Sequence, residues 1–269
     1  MMDQLIQSAR AAGAEIMAVH AAMAVHGADS GHDVRHKSDG SPVTQADDRA
    51  EAAILAALAQ IAPDIPVVAE EQASAGHIPE TPARFWLVDP LDGTREFVNG
   101  SLDFTVNIAL IEGGVPVMGV VFVPGTGALY VGDANGARMT DVPDGDWRPI
   151  RVAKPNAAAL RVFASRSHMS AETRDFIDQF KVAEMISAGS SLKFCKLAAG
   201  EADLYPRLSR TMEWDTAAGD AILRAAGGRV LTMDGHLLTY GKRNQASDSD
   251  FANPWFVATG SFDPFGPQL

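Results

Sequence analysis

Apolar residues at Leu5, Ile6, Ala9, Ile16, Val19 and Met23 fall three, four and seven positions apart and predict an amphipathic helix over residues 5–23. The polar, glycine-rich stretch 26–40 that follows reads as a solvated loop; its His26, His32 and His36 keep no metal-ligand spacing. Ser41-Pro42-Val43-Thr44 opens a second helix with Ile54, Leu55, Leu58 and Ile61 on its buried face, and Thr44 and Asp47 have the spacing of a capping box with Asp in place of Glu. Pro66 to Ala69 predicts a short strand running into Glu70-Glu71. Phe85 to Val88 predicts a buried strand whose ladder stops at Pro90. Strand patterns continue over 104–111, 117–123 and 128–131, broken by Gly113-Gly114 and Pro124-Gly125, and predict an antiparallel sheet with flanking helices. The Pro-, Gly- and Asp-rich stretch 141–149 reads as a boundary. Beyond it, strands over 160–164, 185–188 and 202–205 alternate with helices over 171–180, 190–199 and 217–226, the last ended by Gly227-Gly228. That alternation predicts an α/β half after a mixed α+β one, divided as residues 1–148 and 149–269.

The pattern acquires chemistry at Trp86-Leu87-Val88-Asp89-Pro90-Leu91-Asp92-Gly93-Thr94, where an apolar strand delivers two carboxylates into a turn. Hard oxygen ligands favour Mg²⁺, and a helical turn starting near Thr94 would point free N–H groups at an anion above the metal. Asp-Gly also reads as an ordinary turn and Asp89 as an Asx cap. Further carboxylates favour the metal reading. Glu70 and Glu71 end the other short strand, and Asp215 precedes the last helix, where it also has the position of a capping carboxylate worth about 1 kcal/mol.

The glutamate pair, Asp89-Pro90-Leu91-Asp92-Gly93-Thr94 and the distant Trp214-Asp215 resemble the inositol monophosphatase superfamily of Mg²⁺-dependent, lithium-sensitive phosphatases, over nearly the whole chain. Thr94-Arg95-Glu96-Phe97, Gly189-Ser190-Ser191-Leu192-Lys193-Phe194-Cys195, Leu204-Tyr205-Pro206-Arg207 and Trp214 to Gly219 resemble the 3′(2′),5′-bisphosphate nucleotidases of the CysQ type within it. The resemblance implies an αβαβα layered sandwich with the site between the two halves. It also implies two or three Mg²⁺ ions on Glu70, Asp89, the Leu91 carbonyl, Asp92 and Asp215. Glu70 rather than Glu71 is then the ligand, and Glu71 supports it or faces solvent. Thr94 and Asp47 match the pair that orients and deprotonates the attacking water, and Gly93 and Thr94 offer N–H groups to the phosphate.

Net charge is −12 over 269 residues, which argues against a nucleic-acid polymer as partner but not against a small anion whose site carries divalent cations. Hydrophobic content of 46% with 21% charged residues fits a folded globular chain. With no bilayer-length apolar run and no signal-peptide pattern at Met1-Met2-Asp3-Gln4, a cytoplasmic monomer or homodimer is expected, with peripheral attachment to the inner membrane left open. Lone Cys195 reads as a buried structural thiol.

For the substrate, Glu70, Leu91, Asp92, Gly93, Thr94 and Asp215 are joined by Ser190, Ser191, Lys193, Lys196 and Arg207, with Lys37 as a further cation. Arg207 stands where inositol-specific relatives use an acidic side chain for the polyol, and arginine suits a second phosphate better than a hydroxyl. The lysines read equally well as exposed side chains, and Asp220 as a solvent-facing residue. The expected reaction is hydrolysis of adenosine 3′,5′-bisphosphate to AMP in sulfur metabolism, with the 3′-phosphate of its 5′-phosphosulfate analogue as a second target. Inositol monophosphatase or fructose-1,6-bisphosphatase activity is the same-fold alternative, and a non-catalytic phosphometabolite-binding protein the different one.

Overall fold

The computed structural model describes residues 1–26, 35–36, 42–164 and 169–266. Lys37, His32 and most of the 26–40 stretch therefore lie outside the described residues. Two helices, α1 (Met2–His26) and α2 (Gln45–Ile61), are separated by the paired two-residue strands β1 (Arg35–His36) and β2 (Pro42–Val43). Next come β3 (Val67–Ala69), α3 (Glu70–Ser74), β4 (Arg84–Asp92), α4 (Thr94–Val98) and β5 (Thr105–Glu112). Strands β6 (Val115–Val123), β7 (Ala128–Asp133), β8 (Gly136–Thr140) and β9 (Arg148–Ile150) complete a seven-stranded sheet in chain order. Within it β3 and β4 are parallel and every other pair is antiparallel.

The rest of the chain is β10 (Leu160–Phe163), α5 (Ala171–Ile177), β11 (Val182–Ile186), α6 (Leu192–Ala198), β12 (Leu204–Arg207), α7 (Glu213–Ala225), β13 (Arg229–Thr232) and β14 (Phe256–Thr259). Its five strands are ordered β11-β10-β12-β14-β13, with β10 parallel to both neighbours and the remaining pairs antiparallel.

Strand alternation builds the layers. In β4, Trp86 and Val88 pack with Leu5, Ile16, Ile54 and Leu58 of α1 and α2, whereas Phe85 and Leu87 face a second cluster with Phe194 of α6 and Ala218 and Ile222 of α7. That second cluster continues into Tyr205, Val230 and Phe256 of the other sheet, whose far face packs Leu160, Val162 and Leu204 on Phe176 and Ile177 of α5. The order is thus helices, sheet, helices, sheet, helix: a mixed α/β sandwich of five layers. Helix α7 packs on the first sheet where Gly119 of β6 leaves room for it. A Cβ there would stand 2.4 Å from the Ala218 carbonyl oxygen.

Several elements differ from the sequence expectation. The ladder of β4 does not stop at Pro90: Asp89 pairs with Asn107, Asp92 pairs with Thr105, and the register shifts between them. Proline, lacking an N–H, falls in this bulge where no ladder bond is required, so the strand runs on and carries both aspartates. The stretch 141–149 spans the β8–β9 connection and the first two residues of β9, and the change of sheet comes between Ile150 and Leu160. Strands β8 and β9 escape periodicity because Gly, Arg and Pro dominate them. Helix α6 begins at Leu192, not Ser190, which has a left-handed φ of 49°. Helix α7 begins four residues before Ala217, putting Trp214 and Asp215 in its first turn.

Candidate metal centre

Parallel pairing of β3 with β4 sets Ala69 beside Val88, so the next residue on each chain, Glu70 and Asp89, emerges at the same sheet end. Asp215 meets them from the first turn of α7. One carboxylate oxygen from each of Glu70, Asp89 and Asp215 lies within 4.8 Å of the others. Asp89 is buried, with Oδ1 accepting the Leu91 N–H at 3.0 Å, and Asp215 Oδ2 accepts the Met212 N–H at 2.8 Å. The capping function of Asp215 is therefore real and leaves its other oxygen for the cluster.

Burial pushes the Asp89 carboxyl well above the ordinary carboxylate range, and the charges of Glu70, Asp92 and Asp215 push it further. Burial raises Asp215 likewise, then Asp92 and Glu70, against the Met212 N–H and the Arg207 charge that lower it. Like charges held this close, Asp89 buried and Glu70 and Asp215 half-buried, need a counter-charge. Hard carboxylate oxygens converging from three elements fit a divalent cation of the Mg²⁺ type.

Beside the cluster, the Thr94 hydroxyl, at the start of α4, lies 3.1 Å from Asp47 Oδ1 and 3.2 Å from the Leu91 carbonyl oxygen. The other oxygen of Asp47 accepts from Thr44 N–H at 2.8 Å and Thr44 Oγ1 at 2.9 Å, so the capping box forms and Asp47 still reaches Thr94. Burial pushes the Asp47 carboxyl up to about 6, against the Thr44 hydrogen bonds that lower it. Gly93, at φ 98°, makes the turn between Asp92 and α4; a side chain there would also meet Ser190 Oγ at 3.0 Å.

The other predicted residues are distributed unevenly. Ser190 Oγ donates to the Asp92 carbonyl, and Ser191 bonds Asp92 and Asp215. Arg207, at the end of β12, lies near Asp215, and its buried Nε has no hydrogen-bond partner among the described residues. Lys193 Nζ donates to the Ser190 carbonyl at 2.9 Å and lies over the Tyr205 ring, whereas Lys196 sits 3.7 Å from Glu201. Asp220 does not face solvent: it is fully buried, pairs with Arg224 at 2.8 Å, and accepts from the Tyr240 hydroxyl at 3.0 Å. Cys195 is buried on α6, and burial raises its thiol, as befits a structural residue.

Supporting residues were not visible in the sequence. Glu51 of α2 accepts the Glu71 and Gln72 N–H groups at 2.8 and 3.1 Å, capping α3 and fixing where Glu70 starts. Buried Glu213 accepts from the Gly241 and Lys242 N–H groups and pairs with Lys242 Nζ at 2.7 Å, while Asn253 Nδ2 donates to the Met212 carbonyl. Together they clamp the α7 end that carries Asp215. Only acidic or amide identity hints at such partners, since they come from 20 to 41 residues away.

The sequence profile of the inositol monophosphatase family matches residues 1–259. The chain is 42% identical over 259 residues to the 3′(2′),5′-bisphosphate nucleotidase CysQ of Salmonella typhimurium, covering 96% of this chain and 99% of that one. It is 41% identical over 256 residues to the CysQ of Shigella flexneri, covering 95% and 98%. The crystal structure of CysQ from Bacteroides thetaiotaomicron superposes with a TM-score of 0.75 at 35% identity, over 97% of this chain and 98% of that one. With a full-length profile match, relatives aligned end to end and the five-layer fold in common, this chain belongs to the inositol monophosphatase family.

Proposed function

We propose that the chain is a Mg²⁺-dependent 3′(2′),5′-bisphosphate nucleotidase that hydrolyses adenosine 3′,5′-bisphosphate to AMP and phosphate, and removes the 3′-phosphate of the corresponding 5′-phosphosulfate. The observation that carries this reading is the Glu70, Asp89 and Asp215 cluster, with the Asp47–Thr94 pair near Glu70 and Arg207 near Asp215. Residues 1–148 supply most ligands and residues 149–269 supply Asp215 and the substrate contacts.

Two or three Mg²⁺ ions would be held by the Glu70, Asp89 and Asp215 cluster together with the Leu91 carbonyl and Asp92. When bound, such ions supply charge neutralisation of the phosphate and a lowered pKa for water. The Thr94 hydroxyl, donating to Asp47, keeps its lone pairs for the attacking water and relays the water's proton to Asp47 Oδ1. Burial makes Asp47 a stronger base than an exposed aspartate while leaving it ionised at neutral pH. N–H groups of Gly93 and Thr94 receive the transferring phosphate. Arg207 takes the 5′-phosphate, with Lys193, Lys196 and Ser190 around the nucleotide. Its unpartnered Nε supports this, because a buried guanidinium N–H without an acceptor is costly unless a ligand supplies one. No described helix is long and apolar enough to cross a membrane, and a cytoplasmic location accords with the substrate.

The test is phosphate release from adenosine 3′,5′-bisphosphate, inositol 1-phosphate and fructose 1,6-bisphosphate, each with Mg²⁺ and with added Li⁺. A lithium-inhibited preference for the nucleotide is expected, and preference for either sugar phosphate would overturn the substrate. In the same assay Arg207→Ala should raise KM for the bisphosphate by about 10- to 100-fold, a charge-assisted hydrogen bond being worth about 1.5–3 kcal/mol. It should leave an adenosine 3′-monophosphate nearly unaffected; equal effects on both would remove the second-phosphate assignment.

The pH profile follows from Asp47. As the proton acceptor it must be ionised, so kcat should fall about tenfold per pH unit below an apparent pKa of about 6 or lower, bound cations near Glu70 pulling it down. An acid limb above pH 7 would assign the base elsewhere.

A further inference from the structure

Ser191 stands at the entrance to α6, in the second half of the chain, and is 1% exposed. Its N–H donates to Asp92 Oδ2 at 2.6 Å. Its Oγ lies 2.8 Å from that same oxygen and 2.5 Å from the Asp215 carbonyl oxygen. Asn107, in the middle of β5, points Nδ2 at Ser191 Oγ at 3.0 Å and reaches Asp92 Oδ2 at 3.4 Å. One small side chain therefore touches two aspartates that come from opposite halves of the chain.

A serine hydroxyl has one proton and two lone pairs. Here the proton goes to Asp92 or to the Asp215 carbonyl, and one lone pair accepts from Asn107. Asp92 Oδ2 keeps the Ser191 N–H in either case. Both donors of Ser191, its N–H and its hydroxyl proton, are thus committed to Asp92 and Asp215, and one of its lone pairs to Asn107, leaving no donor for a nucleotide. We infer that Ser191, braced by Asn107, is a positioning residue for cation binding: it fixes Asp92 through one oxygen and ties to it the α7 turn that carries Asp215. The inference rests on the metal assignment proposed above, and it replaces a substrate contact by Ser191 with a contact to the residues that hold the cation. The energetic logic is preorganisation. Two repelling aspartates held in place before the ion arrives lose less on binding it than two that must first be ordered.

The test is calorimetric titration with Mg²⁺ of the wild type, Ser191→Ala, Ser191→Thr, Asn107→Ala, the Ser191→Ala/Asn107→Ala double variant and Asp89→Asn. It is paired with KM for adenosine 3′,5′-bisphosphate at saturating Mg²⁺. Ser191→Ala should bind Mg²⁺ about 10- to 100-fold more weakly, the usual cost of losing a group that orients a ligand, with KM unchanged. Ser191→Thr should restore the affinity, Asn107→Ala should weaken it less, and the double variant should fall short of the summed effects because the two groups share one hydrogen bond. Asn107→Ala carries the same comparison should Ser191→Ala fail to fold. Wild-type Mg²⁺ affinity with a raised KM in Ser191→Ala would overturn the inference and return the hydroxyl to the substrate. Absence of Mg²⁺ binding by the wild type, or its survival in Asp89→Asn, would instead bring down the metal assignment and this inference with it.

Discussion

Asp89→Asn is expected to abolish cation-dependent phosphate release while making the metal-free protein more stable. Asparagine preserves the shape and the acceptor for the Leu91 N–H, so the bulge at the end of β4 survives. What disappears is one negative charge among Glu70, Asp92 and Asp215. Removing a cation ligand forfeits several kcal/mol of transition-state charge stabilisation, hence about 10³-fold or more in rate. The stability effect has the opposite sign. The folded-state pKa of Asp89 is raised, so its contribution to stability is full below the unfolded pKa and is lost as pH rises through the folded one. As pH rises through that folded pKa the metal-free wild type loses it, and Asp89→Asn has nothing to lose. Calorimetric melting over a series of rising pH should show metal-free Asp89→Asn gaining Tm relative to metal-free wild type, with no increase on adding Mg²⁺ to the variant. Asp92→Asn should abolish turnover too. Near-normal activity in either variant would sink the metal assignment.

Thr94→Ala should separate proton transfer from cation binding. Alanine at the first position of α4 costs the helix little, since its cap, Gly93, uses no side chain, and Asp47 retains both hydrogen bonds from Thr44. The variant should fold and bind Mg²⁺ as the wild type does, with kcat down about 10²–10⁴-fold, the range for a positioned acid–base group. Single-turnover kinetics with parallel Mg²⁺ titration check it. A preserved kcat with a raised KM would mean that Thr94 holds substrate rather than water.

How much of this could be read from the chain depends on how local each signal is. Asp89, Asp92, Gly93 and Thr94 were legible because an apolar strand, a turn and a helix start follow within nine residues, and local chemistry dictates all three. Thr44 and Asp47 were legible as a capping box; the contact with Thr94, 47 residues on, depends on how α2 packs against β4. Asn107 was invisible because an amide in a buried strand carries no periodic signature, and its use depends on the register that aligns it with Asp89. Asp220 reads as exposed from its neighbours, yet Arg224 one turn later and Tyr240 from a distant loop neutralise it inside the core. Strand alternation and helix periodicity led to a mixed α+β half followed by an α/β half and the family resemblance to the layered order, whereas the bulge at Pro90 required knowing which ladder bond its missing N–H would spare.

Helix α7, seated over Gly119 on one sheet and packed through Phe194 and Val230 toward the other, joins the two halves in one apolar cluster. Exposing either sheet would strip apolar partners from the other, so the two should melt in a single cooperative transition rather than one after the other.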